Sequence, residues 1–384
     1  MTDQVARSGQ VTLLPGSLYE RALEVGRRAA GSSGPNPPVG CLLVRDGAVI
    51  AEGATEPAGG RHAEIVALDA AGGRARGSLA VVTLEPCAHH GRTPPCTDAL
   101  LAAGVTDVHV LLRDPDLVAR GGLDALAQAG VTVVEVGPLR PDLARTATHD
   151  LRGFLVRVAH GRPHVTLKLA QTPDGRTVPG EARYLTGESA RRRVHALRAE
   201  SDAVLVGGAT VRTDDPRLDV RLVPGEHRPR PVLVSARAEV PVASRAVRDG
   251  AVVLHGPAVA ATSRAELESA GVRLIGVTLD RRTGGIDLPS ALAALLDERI
   301  LTVLAEPGLR LAGALIDAHL VDTVELHVAG GAAASEVLPA LAALATLVDG
   351  SSDVERSTTS DGDLILRSES LVARHLGPTL EGAA

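Results

Sequence analysis

Tryptophan is absent from this chain of 384 residues, and phenylalanine and tyrosine together number three. Single-stranded nucleic acid is held by stacking its bases on aromatic rings, so a stacking platform is excluded. An excess of positive charge is also missing. Forty basic residues face 46 acidic ones, for a net charge of −6. Nothing in that balance draws in a polyanion, and nucleic acid is not an expected partner. No run approaches the roughly 18 apolar residues of a membrane span, and Met1–Gly16 lacks the charged-then-apolar pattern of a secretory leader. No membrane partner is expected. Cysteine is scarce and odd in number: Cys41, Cys87 and Cys96. That count argues against a disulfide framework and for a reducing, cytoplasmic location. Lysine is nearly missing as well, since Lys168 is the only one among the basic residues. Codon bias in a GC-rich genome accounts for an Arg- and Ala-rich chain, and it singles out Lys168.

What is present fits globular protein: 45% apolar and 22% charged residues. The length suits two or three domains, each with its own core. After a flexible lead-in over 1–16, helical spacing begins at Leu18. Asp46-Gly47 between two apolar runs reads as a β-hairpin. Helices over 62–71, 97–103 and 123–129 alternate with strands over 79–84, 108–112 and 131–136. This is an α/β layer pattern. Residues 140–162 read as a connector containing a short helix, and a second α/β series starts at His164. Strands are expected at 165–170, 203–206, 231–234, 251–254, 272–277, 301–304 and 323–328, with helices at 189–199, 263–270, 290–297 and 309–318. The division is then 17–148 for the first domain, 149–162 for the connector, 163–371 for the second domain and 372–384 for a frayed tail.

The first domain carries a metal signature. His62-Ala63-Glu64 precedes Pro86-Cys87, and Cys96 follows nine residues later. One imidazole and two thiolates make a soft three-ligand set that suits zinc and leaves a fourth position for water. Glu64, two residues from His62 at a helix start, is placed to move protons beside the metal. The order His-x-Glu, Pro-Cys, Cys is that of zinc nucleobase deaminases, with a longer loop between the two cysteines. A structural zinc would want four protein ligands, and His89 or His90 could supply the fourth. Each cysteine alone is more often a small buried hydrophobe, which is the reading for Cys41. The loop Ala88–Pro95 holds His89, His90 and Arg92, groups that suit a phosphate or ribose. Asn36, between prolines, can read a base or ribose edge.

These residues resemble one family. The run Thr83–Cys96, together with Pro35-Asn36-Pro37-Pro38-Val39-Gly40 and His62-Ala63-Glu64, is similar to the riboflavin-biosynthesis bifunctional deaminase-reductases. The resemblance covers roughly residues 18–330. It implies an α/β protein with an N-terminal cytidine-deaminase-like three-layer domain and a C-terminal dihydrofolate-reductase-like domain. It implies zinc on His62, Cys87 and Cys96, Glu64 as proton shuttle, and removal of an amino group from a diaminopyrimidinone ribosylamine phosphate. Asn36, His89, Arg92 and Asp114 would face that substrate. In the family's Asp-Pro-Asn-Pro turn, Asp114 matches but Asp116 replaces Asn.

The second domain resembles the family's reductase through Thr166–Thr177, which contains Lys168, through Tyr184-Leu185-Thr186, and through Thr210–Leu218. The resemblance implies NADPH-dependent reduction of the ribosyl group to a ribityl chain. Arg198, Leu218, Arg221 and Glu306 would contact substrate, and Ala170, Tyr184, Thr210, Asp214 and Gly308 would line the NADPH site. Glu306-Pro307-Gly308 stands where the family has Glu-Gly-Gly, and Gly330-Gly331 where it has Ala-Pro. An alternative reading is an active deaminase with a non-reducing C-terminal domain. A polynucleotide-editing deaminase is opposed by the long Cys87–Cys96 loop, the net charge and the lack of aromatics. The expected partner is a small phosphorylated pyrimidine, and the expected assembly a homo-oligomer.

Overall fold

The computed structural model describes residues 12–89, 94–174, 176–177, 184–225, 227–330 and 354–369. The chain divides into two compact units, Met1–Leu151 and Arg152–Ala384.

Unit 1 is built from helix α1 (Gly16–Arg27), strands β1 (Gly40–Arg45) and β2 (Ala48–Ala54), α2 (Ala63–Ala71), β3 (Leu79–Val82), α3 (Cys96–Ala103), β4 (Asp107–Val110), α4 (Gly122–Gln128), β5 (Thr132–Glu135) and the single turn α5 (Val136–Leu139). The hairpin forms where Asp46-Gly47 predicts it, with φ of 51° and 77° at those two residues. The sheet order is β2-β1-β3-β4-β5. β1 runs antiparallel to both its neighbours, and β3, β4 and β5 are parallel. The C-terminal edge of β3 and β4 is therefore one shared rim, and the loops after both strands open onto it.

Alternation along the strands places Leu42, Val44 and Val81 in a core with Tyr19, Ala22, Leu23 and Val25 of α1. Leu13 and Leu14 pack against the same core, so the end of the expected lead-in is ordered. α2 lies on β2, and the contact is close. A Cβ built on Gly53 would sit 2.1 Å from the Ala63 carbonyl oxygen, which only glycine permits.

The expected connector is different in the structure. Residues 141–160 form one 20-residue helix, α6 (Pro141–His160). Its apolar positions recur at helical spacing, and Pro141 at its first position suits a helix start.

Unit 2 continues with β6 (His164–Gln171), α7 (Glu188–Ala199), β7 (Ala203–Gly207), α8 (Gly208–Asp214), β8 (Arg230–Val234), β9 (Val252–His255), α9 (Ala261–Ser269), β10 (Arg273–Gly276), α10 (Leu288–Ala294), β11 (Thr302–Ala305), α11 (Leu309–Asp317), β12 (Thr323–Val328), β13 (Val354–Thr358) and β14 (Leu364–Glu369). The sheet order is β10-β9-β8-β7-β11-β6-β12-β14-β13. All pairings are parallel except those of β14 with β12 and with β13. Alternate residues of β7 enter two cores: Ala203 and Leu205 face α10 and α11, and Val204 and Val206 face α8 and α9. The chain moves outward from β7 to β10 and returns to insert β11 beside β7. That reversal makes a crevice at the carboxyl ends of β7 and β11, where doubly wound sheets bind ligands.

Replacing Gly53 with Ala forces α2 off β2. We expect unit 1 to lose about 1–3 kcal/mol, as overpacked cores do, read from the urea midpoint of its transition. An unchanged midpoint would remove this close contact as the feature that seats α2.

Candidate functional site

The first site forms where two helices begin. His62 is the residue before α2, with extended backbone (φ −72°, ψ 159°), and Glu64 lies in the first turn. Pro95 precedes α3, so Cys96 is its first residue. Cys87 comes from the loop after β3. Among the described residues, His62, Cys87 and Cys96 place one ligand atom each within 4.8 Å of one another. His62 Nδ1 lies 3.2 Å from the Cys96 sulfur and 3.7 Å from that of Cys87. The Cys96 N–H, unpaired at the start of α3, donates to Cys87 Sγ at 3.4 Å. The Cys87 carbonyl accepts from the Thr97 N–H at 3.3 Å.

The electrostatics follow from this crowding. The Cys96 thiol and His62 hold Cys87 down to about 4, and burial opposes them. The Cys96 thiol is pushed up by its hydrogen bond to Cys87 and by burial. Two sulfurs sharing protons beside an imidazole, at a helix N-terminus, are a donor set that a soft divalent cation satisfies. Zinc fits these residues. Burial raises the Glu64 carboxyl above the usual range, and Glu64 is only 4% exposed. That burial favours the protonated carboxyl, the form that can give a proton. Cys41 is fully buried in β1, as expected for a core residue.

The other residues expected in this site are distributed around it. His89 is half-buried, and its Nδ1 is buried with no hydrogen-bond partner among the described residues. Asn36 is half-buried in its turn. Asp114 is buried and raised to about 6 by that burial. Its Oδ1 accepts the Asp116 N–H at 2.9 Å, and the Asp116 carboxylate accepts the Val118 N–H at 3.0 Å. Asp116 thus closes its own turn. Arg92 and His90 lie outside the described residues. The sequence reading missed Glu85, a buried carboxylate that accepts three backbone N–H groups. An acid directly before Pro86-Cys87, at the end of an apolar strand, was the available signal.

In unit 2 the structure brings Thr210 and Gly308 together. A Cβ on Gly308 would lie 3.6 Å from Thr210 Oγ1. Both flank the crevice between β7 and β11. α11 starts after Gly308, and its first N–H groups lack helical partners, which suits an anion such as a dinucleotide phosphate. Pro307 precedes this start and removes none of those donors. Thr210 and Asp214 lie in α8, a helix not among those expected from the sequence. Ala170 sits at the end of β6, opposite His327 of β12. Tyr184 is 45% exposed, with the Arg191 guanidinium 4.5 Å above its ring. The starts of α8 and α11, after Gly207 and Gly308 at the carboxyl ends of neighbouring strands, form a setting that fits NADPH.

The expected substrate contacts of unit 2 are partly committed to one another. Arg198 and Glu306 form a bidentate pair at 2.6 and 2.8 Å. The Leu218 side chain is in the core, at 1% exposure, which leaves only its backbone to meet a ligand. Arg221 is exposed and paired with Asp219, and its N–H donates to His195 Nδ1 at 3.2 Å. Lys168 is half-buried, and desolvation pulls its ammonium below the usual lysine range. Gly330 is the last described residue before 331, so the Gly330-Gly331 departure lies only partly within view.

Replacing Cys87 or Cys96 with Ala removes one of three ligands, and we expect each variant to lose its zinc. Metal content after gel filtration, read by atomic emission, checks this; full retention would break the assignment. Arg198→Ala leaves Glu306 without its partner, and a destabilisation of unit 2 of about 3 kcal/mol is expected, measured by chemical denaturation.

Residues 163–332 match the RibD C-terminal domain. Residues 16–112 match the cytidine and deoxycytidylate deaminase zinc-binding region. The chain is 38% identical over 325 residues to the riboflavin biosynthesis protein RibD of Escherichia coli strain K12, covering 80% of this chain and 86% of that protein. Its structure is similar to that of Acinetobacter baumannii RibD, with a TM-score of 0.72 and 31% identity over 92% of this chain and 98% of that one. It is also similar to a diaminohydroxyphosphoribosylaminopyrimidine deaminase/5-amino-6-(5-phosphoribosylamino)uracil reductase from Thermotoga maritima, with a TM-score of 0.72 and 28% identity over 92% of this chain and 98% of that one. With a donor triad at the start of two helices, a crevice at the sheet's switch point and relatives matched over most of their length, the chain belongs to the riboflavin biosynthesis protein RibD family.

Proposed function

We propose that this chain carries out two consecutive steps of riboflavin biosynthesis. Unit 1 removes the 2-amino group of a diaminopyrimidinone ribosylamine phosphate, and unit 2 reduces the ribosyl group of the product. The observation that carries the first step is the cluster of His62, Cys87 and Cys96 with buried Glu64 against it.

In the deamination, water adds to the ring carbon that bears the amine, the C–N bond breaks, and ammonia leaves. Zinc held by His62, Cys87 and Cys96 supplies the Lewis acidity that brings the pKa of water towards neutrality. Glu64 takes the proton released from water and passes it to the ring nitrogen and then to the departing amine. Its burial next to Cys96 favours the protonated carboxyl, the form that gives the proton on. Asn36, His89, Arg92 and Asp114 orient the substrate, and the buried Nδ1 of His89, without a partner among the described residues, supports a polar ligand there.

In the reduction, the ring C–O bond of the ribose breaks, the carbon gains a hydride, and the oxygen gains a proton. Ala170, Tyr184, Thr210, Asp214 and Gly308 would hold NADPH, which would supply the hydride. Arg198, Glu306, Arg221 and the Leu218 backbone hold the substrate beside it. The Arg198–Glu306 pair keeps both groups fixed before substrate arrives, so little ordering is needed on binding. The proposal includes a cytoplasmic homo-oligomer that acts on small molecules and not on nucleic acid. Among the described residues no helix is long and apolar enough to cross a membrane.

The test follows ammonia release and NADPH oxidation together on the diaminopyrimidinone ribosylamine phosphate with zinc-loaded protein. Both should proceed. Ammonia without NADPH oxidation would leave unit 2 a non-reducing domain, and no ammonia would mean the substrate is wrong. Glu64→Gln should lower kcat for ammonia release by about 10²–10⁴-fold while zinc content stays unchanged. Full activity in that variant would remove Glu64 as the proton shuttle.

A further inference from the structure

We infer that Glu85 is a positioning residue of the deaminase site. A single carboxylate at the end of β3 fixes the loop that presents Cys87 and the loop that presents Asp114 as one piece. The inference rests on the reading of unit 1 as a zinc deaminase and adds a residue that this reading does not use.

Glu85 is 4% exposed. Its Oε2 accepts the Asp114 N–H at 3.0 Å, and its Oε1 accepts the N–H groups of Gly121 at 3.0 Å and Leu123 at 3.1 Å. Its own N–H donates to the Leu112 carbonyl at 2.9 Å. Backbone and side chain of one residue therefore both grip the segment that follows β4. Gly121 and Leu123 bracket the first residue of α4, where N–H groups have no partner within the helix. The residue between them, Gly122, lies directly on the peptide that leads to Cys87. A Cβ there would be 1.8 Å from the Pro86 carbonyl oxygen. On the far side of Cys87, the Ala88 N–H donates to the Ala119 carbonyl at 3.1 Å.

Cys87 is thus flanked by two residues, Glu85 and Ala88, that are each tied to the 112–123 segment. The same segment carries Asp114, whose buried carboxyl lies near enough to Glu85 and Cys87 to feel their charge. Without the Glu85 carboxylate, three buried donors would be orphaned together, and the loops would separate to reach water. A ligand sulfur and a substrate-facing carboxyl would then move in concert. A substitution that merely loosened the core would not couple them in this way.

The test uses Glu85→Gln in the full-length chain. The amide keeps the shape but turns an N–H donor towards another N–H. Zinc retention against a chelator should weaken by about 10- to 100-fold, as for other residues that orient metal ligands. The visible bands of the cobalt-substituted protein should shift. KM for deamination should rise together with the fall in kcat, and the KM effect should be less than additive with that of Asp114→Asn. NADPH titration of unit 2 serves as the folding control. Unchanged zinc retention and cobalt bands, with NADPH binding intact, would overturn the inference.

Should the variant fail to fold, hydrogen exchange in the wild-type chain decides. Stripping zinc should speed exchange across residues 112–123, none of which is a ligand. Exchange there that ignores zinc removal would sink the idea. The zinc, cobalt and exchange readouts need no turnover. A wild-type chain that releases no ammonia therefore defeats the functional reading while Glu85 is still judged.

Discussion

Three electron-rich side-chain atoms held within 4.8 Å of one another, in a half-buried pocket, need positive charge beside them. Unit 1 is organised around that constraint. Part of the charge comes from the backbone: α3 begins at Cys96, and its first N–H points at the Cys87 sulfur. The remainder is what a bound cation provides, which is why the cluster suits zinc better than any all-protein arrangement. The surrounding fold is then a set of close approaches. α2 must press on β2 at Gly53 to bring His62 and Glu64 to the rim, and α4 must press on Pro86 at Gly122 to hold the Cys87 loop.

Unit 2 faces the same problem of buried charge and meets it with pairs. Arg162 and Asp322 form a bidentate bond at 2.6 and 2.8 Å that ties the start of β6 to the start of β12. Arg193 and His327 both bond to Glu325, which is held down to about 2 by those partners in spite of burial. Arg198 takes Glu306. Lys168 stands opposite Glu325 across the β6–β12 ladder, with Glu306 also near enough to act on it. Both of those carboxylates are already bonded to arginine. Lys168 is left with coulombic attraction alone from these two carboxylates.

The sequence-based elements coincide with most of the structure, and the exceptions are instructive. Strands and helices of both units fall within a few residues of their expected places, because apolar period and turn residues encode them locally. Neither β13 nor β14 is among the expected strands; β13 has little apolar alternation, with most of Val354–Thr358 exposed. Its place is set by pairing with β14, and that of β14 by pairing with β12. The α8 helix escaped because Asp214-Asp215-Pro216 has strong turn chemistry, and the turn begins only after the helix has ended. The expected connector with its short helix is instead the 20-residue α6, and the boundary between the two units falls inside it.

The sequence by itself picked out the candidate metal-binding set: His62, Cys87 and Cys96, with Glu64, fall within 35 residues and are donor types that suit zinc. It also determined the α/β class, from alternating periods. Only the tertiary structure decided which polar groups are free. Arg198 and Glu306 are 108 residues apart and neutralise each other, Leu218 turns its side chain into the core, and Glu85 reaches across 29 to 38 residues to three N–H groups. The physical reason is that helix starts and strand alternation are set by neighbours along the chain. Pairing of charges and donors is set by sheet order and register, and those follow from how the whole apolar surface is buried.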